Sequence, residues 1–216
     1  MNKLYNTNSI VKTLLNWYGT NKRDMPWRKT KDPYKIWLSE VMLQQTQVET
    51  VIPYYNRWIK KYPGFTDVMK AKESELLKLW EGLGYYNRCK NFYKAVDKVA
   101  NDYNGKIPDV LNEFIKLTGV GDYIASAVLS ISYGQNLPAL DGNIIRVLSR
   151  VLKKKKVSPY NRKIIHNHML RWMKYGHGGD INEALMDLGS MLCRPNQAHC
   201  YQCPFVNSCG AYQTGV

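Results

Sequence analysis

Three groups of side chains in this sequence have the type and spacing to do chemistry. Glu40 lies in PYKIWLSEVMLQQTQVETV, where counting by three and four sets Ile36, Trp37, Leu43 and Gln44 around it on one helix face. Desolvation on such an apolar, aromatic face disfavours the carboxylate, and the raised pKa suits a general acid near neutral pH. The plainer reading puts Glu40 at the edge of the stripe, paired with a lysine or arginine. Asp141, in PALDGNIIRVLSR, follows a short apolar run and precedes an amphipathic helix. An aspartate there caps the helix, accepting from an orphan backbone N–H, and the helix dipole favours its ionised state. The third group is CRPNQAHCYQCPFVNSC, in which Cys193, Cys200, Cys203 and Cys209 are separated by six, two and five residues. Four thiols in a short loop-rich tail, with no sign of an oxidising compartment, read as a metal site. Zinc ribbons tend to use two separated C-x-x-C pairs. One C-x-x-C flanked by single cysteines suits a loop wrapped around a cubane, so the spacing favours [4Fe–4S] over zinc. Cys89, far from this tail, reads as a structural cysteine.

Two further stretches have binding character. QQTQ at 44–47 breaks the apolar pattern, either as a loop between helices or as amides suited to hydrogen-bonding base edges. LTGVGDY at 117–123 carries glycines two apart, Gly119 and Gly121, which permit backbone conformations other residues resist. It reads as a tight turn, or as a hairpin whose exposed N–H groups hold phosphate without reading sequence.

These residues need elements to hold them, and the chain supplies helices with glycine and proline punctuation and no alternating strands. TKDPYKIWLSEVML begins on Asp32 and Pro33, a cap and a first helical position. KESELLKLWEGLG stops at Gly82 or Gly84, and RCKNFYKAVDKVANDYNG near Gly105. IPDVLNEFIKLTGVGDYIASAVLSISYG reads as two helices joined by TGVG. NRKIIHNHMLRWMKYG and INEALMDLGSMLC lead to the cysteine loop. The opening stretch is an amphipathic helix with Ile10, Leu14, Leu15 and Tyr18 on one face, not a secretory signal. KKKK at 153–156 reads as a solvated loop.

At 216 residues the chain is one large domain or two small lobes. A hydrophobic share of 44% argues against disorder, and no apolar run is long enough to span a bilayer. Lys+Arg 31 against Asp+Glu 17 leaves +14, which points to a polyanion, nucleic acid above all, and 16 tyrosines with 6 tryptophans add stacking surfaces. A cytoplasmic, nucleoid-associated protein is expected, nuclear if the source is eukaryotic.

Taken together, MPWR, WLSEVMLQQTQV, GLGYYNRCKN, LTGVGDY, LDGNIIRVLSR, NEALMDLG and the C-x6-C-x2-C-x5-C tail resemble one family. The chain is similar, from about Arg23 to Cys209, to the helix-hairpin-helix DNA glycosylases of the endonuclease III superfamily, nearest the MutY-type adenine-removing branch. The resemblance implies an all-α fold of two lobes: a six-helix lobe over 22–135 with the hairpin, and a lobe of 1–21 plus 136–216 with a C-terminal [4Fe–4S] loop. It implies a monomer that flips a nucleotide out of mismatched or damaged duplex DNA and cleaves its glycosidic bond, dividing the work between two carboxylates. Glu40 would protonate the leaving adenine, and Asp141 would stabilise the oxocarbenium ion or bond to it, oriented by Asn143. Tyr123 stands where bifunctional relatives carry a catalytic lysine, so an abasic site without strand cleavage is implied.

The same resemblance places Arg23, Trp27, Arg28, Leu43 and Glu183 about the base. Gln45 and Tyr85 would wedge into the stack, helped by Gln44 and Thr46. Gly119, Val120 and Gly121 would hold phosphate with a monovalent cation. Thr118 departs from the proline usual in that turn. The sequence ends seven residues past Cys209, so the Nudix-like domain that recognises 8-oxoguanine in this branch is expected to be missing. The target would be adenine opposite 8-oxoguanine or guanine. Thymine or uracil opposite guanine, or a non-catalytic iron–sulfur DNA-binding role, are the alternatives.

Overall fold

The computed structural model describes residues 6–154 and 158–215. The chain divides into two compact units, Asp24–Tyr133 and Met1–Arg23 with Gly134–Val216. Among the described residues both are helical, and the only strand-like pairing is an isolated bridge between Cys193 and Ala198.

The unit Asp24–Tyr133 contains α2 (Pro33–Leu43), α3 (Val48–Lys61), α4 (Phe65–Met69), α5 (Glu73–Trp80), α6 (Asn87–Asp102), α7 (Leu111–Phe114) and α8 (Asp122–Tyr133), after a 3-10 turn at Pro26–Lys29. α2 is its spine. Asp32 caps it by accepting from the Tyr34 N–H at 2.9 Å, with Pro33 at the first helical position. Every residue from Ile36 to Met42 is buried, because α2 packs on α3, α6 and α8. Trp37 meets the rings of Phe92 and Phe114 edge-on at 4.8 and 5.2 Å. Cys89 is buried here, and burial pushes its thiol up to about 12, so it stays an inert core group.

The hairpin departs from expectation on its first side. Only Leu111–Phe114 forms α-helix. Beyond it the Lys116, Leu117 and Val120 amides bond three residues back, to Glu113, Phe114 and Leu117, so the chain tightens into successive turns before α8.

In the other unit α1 (Thr7–Asn21), α9 (Gly142–Val151), α10 (Pro159–Trp172) and α11 (Gly178–Met191) surround one core, and α12 (Gly210–Thr214) packs on α9. The buried face of α1 centres on Val11, Leu14 and Tyr18, with Ile10 and Leu15 only partly covered. Lys153 and Lys154 follow α9, and the rest of the lysine run lies outside the described residues.

Candidate active site

Glu40 sits inside the buried stretch of α2, 6% exposed, rather than at the edge of an apolar stripe. The Tyr123 hydroxyl, on the first turn of α8, donates to Glu40 Oε2 at 2.7 Å. A phenol donor to a buried carboxyl is the kind of bond that locks its rotamer. Trp27, in the 3-10 turn, packs edge-on against Tyr55 at 5.2 Å, with Arg28 half-buried beside it in sequence.

Just past Glu40 the chain turns sharply. The Thr46 N–H donates to Leu43 O at 3.2 Å, and Gln44 (φ −56°, ψ 113°) and Gln45 (φ +56°) complete a type II turn. QQTQ is therefore the connection between α2 and α3, and it sets Gln45 at an exposed tip. Tyr85 is likewise left-handed (φ +48°) and 60% exposed. Such dihedrals cost a non-glycine residue about 1–2 kcal/mol and persist only where the surroundings impose them.

Gly119 earns its place twice, with φ +79° and an added Cβ that would lie 2.9 Å from Asn91 Cβ. Gly121 has no positive φ, and a Cβ there would meet nothing within 4 Å. Its lack of a side chain leaves the start of α8 open rather than relieving strain. Val120, between them, is buried and anchors the turn.

In the other unit Asp141 caps α9, accepting from the Ile144 N–H at 2.7 Å and from Asn143 Nδ2 at 2.8 Å. Arg146 in turn donates to Asn143 Oδ1 at 2.7 Å, Gly189 O at 2.9 Å and Cys193 O at 2.8 Å. Asn182, fully buried, accepts from Ala139 N and donates to Leu137 O, fixing the segment that leads into Asp141. The dipole argument favours an ionised Asp141, but burial outweighs it. Desolvation raises the carboxyl above its ordinary value, while the Ile144 and Asn143 donors and nearby Arg146 pull it down.

The role that the resemblance implies for Asp141 carries a pH dependence with a definite sign. If ionised Asp141 is required, activity falls as pH drops through its raised pKa, so the acid limb lies above that of an ordinary aspartate. N143A removes a lowering donor and is expected to move that limb further up. A pH–rate profile of single-turnover base release checks this, and an unmoved limb would separate the limb from Asp141.

Glu183, on α11, is 8% exposed and accepts from the Tyr18 hydroxyl at 2.8 Å. Arg23 donates through Nε to the fully buried Asp187 at 2.7 Å, and its backbone N–H reaches the same carboxylate at 3.2 Å. Tyr18, Asn182, Asp187 and Arg146 are residues that sequence reasoning did not single out as partners. Asn182 and Asp187 lie inside the NEALMDLG segment, where a polar residue on an otherwise apolar helix was the signal.

Cys193, Cys200, Cys203 and Cys209 line one cavity of about 420 Å³ together with Arg150. Arg150 Nη1 lies 3.2 Å from Cys193 Sγ and donates to Arg194 O at 2.8 Å. Burial pushes the Cys203 thiol up to about 11, and the other three cysteines add to the rise. Among the described residues no three of His, Cys, Asp and Glu stand close enough to hold one metal ion. Thiolates on a single zinc at about 2.3 Å must crowd together, whereas a cubane spreads one thiolate to each iron. Four thiols lining one cavity are a donor set that fits such a cluster.

Residues 38–173 match the family described as HhH-GPD superfamily base excision DNA repair protein. The adenine DNA glycosylase of Buchnera aphidicola subsp. Baizongia pistaciae is 39% identical over 204 residues, which is 94% of this chain and 58% of that protein. The adenine DNA glycosylase of Mus musculus is 39% identical over 212 residues, 93% of this chain and 41% of that one. The chain thus spans about half the length of these curated relatives. A solved structure of a thermostable thymine-DNA glycosylase superposes with a TM-score of 0.87 at 30% identity, covering 96% of this chain and 97% of the other.

Proposed function

This chain belongs to the HhH-GPD superfamily of base excision DNA repair proteins, and from that premise we propose that it is a monofunctional glycosylase removing adenine from duplex DNA. The carrying observation is the buried Glu40 carboxyl held by the Tyr123 hydroxyl at 2.7 Å. A phenol at that place steadies the acid and offers no amine, so no Schiff base forms and the product is an abasic site.

Excising a purine needs a proton on the departing base and a negative charge near the cationic sugar. Glu40 supplies the first. Asp141, rigid at its cap, supplies the second, and water completes the hydrolysis. Glu183 and Tyr18, with Arg23 on Asp187, Trp27, Arg28 and Leu43, are the groups proposed to select adenine. Gln45 and Tyr85 are proposed to fill the stack that the flipped nucleotide leaves, with Gln44 and Thr46 beside them. The open start of α8 after Gly119, Val120 and Gly121 suits a backbone phosphate, and carbonyl oxygens of that turn are proposed to hold a monovalent cation. The net charge of +14 favours the same partner.

The four cysteines are proposed to hold a [4Fe–4S] cluster. Bound there, it supplies a structural clamp across the loop 193–209 and no step of the hydrolysis. Protein purified under nitrogen is expected to be brown, with four irons per chain and a broad visible absorption that bleaches on oxidation. A colourless protein with one zinc would contradict the assignment.

The thymine-DNA glycosylase likeness favours a second reading, removal of thymine or uracil opposite guanine. Base release from A·8-oxoguanine, A·G, T·G and U·G duplexes separates the two. Adenine alone supports the proposal, thymine without adenine supports the alternative, and release from none leaves a non-catalytic DNA-binding role.

A further inference from the structure

We propose that Arg88 is a positioning residue that holds Gln45 and Tyr85 in the left-handed backbone conformation from which their side chains project. The proposal rests on the reading of those two residues as the wedges that enter the base stack. Arg88 lies on α6 and is 9% exposed. Its Nη1 donates to the carbonyl oxygens of Val41, Met42 and Gln44 at 3.2, 2.6 and 2.5 Å. Nη2 reaches Gly84 O at 3.2 Å and, at 3.5 Å, Leu83 O. The guanidinium also lies 5.5 Å from the Trp80 ring and 5.2 Å from the Tyr85 ring.

A carbonyl oxygen shares a rigid plane with the next residue's nitrogen. Anchoring the oxygens of Gln44 and Gly84 therefore orients the planes from which the chain turns into Gln45 and Tyr85. Those are two of only four non-glycine residues with positive φ among the described residues. The two turns stand forty residues apart in sequence, and one buried fork joins them. Trp80 Nε1 adds a second anchor to Gly84 O at 3.0 Å. Every hydrogen-bond acceptor of this guanidinium is a backbone carbonyl, so its charge is spent on loop geometry and on capping the end of α2. A lysine ammonium, a point donor without the fork, cannot span both turns.

The test is R88K, read first without DNA. Hydrogen exchange at the amide of Thr46, which closes the turn at Gln44 and Gln45 onto Leu43 O, is expected to quicken at least tenfold, with the middle of α8 unchanged. The second reading uses a duplex with 2-aminopurine at the target position. R88K is expected to bind within threefold of wild type yet lose at least half of the fluorescence rise that reports unstacking. Exchange within twofold of wild type at this amide would overturn the proposal. If Q45A and Y85A leave the fluorescence rise intact, the wedge reading fails, while the exchange result still decides the clamp. Should R88K not fold, R88Q carries the same comparison, and failure of both would make Arg88 a core residue and overturn the proposal.

Discussion

E40Q is expected to bind mismatched duplex as tightly as wild type and to release adenine about 10²–10⁴-fold more slowly, the range that a positioned general acid contributes. Glutamine keeps the shape of the side chain and an oxygen to accept from Tyr123, so α2 and its packing survive. What is lost is a transferable proton, and without one adenine must depart as an anion, a poor leaving group. The comparison that isolates this role is single-turnover release beside binding. A drop in binding with an unchanged rate would move Glu40 from acid to structural group. Thermal unfolding within a few degrees of wild type is part of the expected result, because Glu40 lies among buried residues from Ile36 to Met42 and a packing defect there would show.

The second large effect is at Asp141. D141N keeps an oxygen for the Ile144 N–H, so the cap on α9 is preserved, but it sets two amide nitrogens against each other where Asn143 now donates to Oδ2. More important, it removes the negative charge proposed to stand opposite the forming oxocarbenium ion. Losing one preorganised electrostatic partner costs about 10²–10³ in rate, about 3–4 kcal/mol of barrier. Duplex affinity is expected to hold or rise, since a carboxylate repels phosphate. A D141N rate within threefold of wild type would exclude Asp141 from the chemistry and leave it a helix cap.

The sequence showed some of this plainly and hid the rest for physical reasons. Asp32-Pro33 announced α2, and Asp141 announced α9, because capping is written in adjacent residues. The cysteine spacing needed no fold to be noticed. Glu40 was visible as a charge on an apolar face, but its burial followed from α8 covering that face, which periodicity alone does not report. The bonds that hold the site were invisible because their partners lie far apart: Tyr18 and Glu183 are 165 residues apart, Arg23 and Asp187 are 164. Arg88 was not singled out in the sequence, since nothing local shows that its partners are carbonyls on two other turns. The first helix of the hairpin misled for the opposite reason. Its composition suits a helix, and the bonds leading to Gly119 tighten it into turns.

The most direct measurement of the central claim is product analysis on one duplex carrying adenine opposite 8-oxoguanine. The account predicts free adenine in the soluble fraction and an intact strand that breaks at the abasic site only after alkali. An unreleased base, or strand cleavage concurrent with base release, would contradict it.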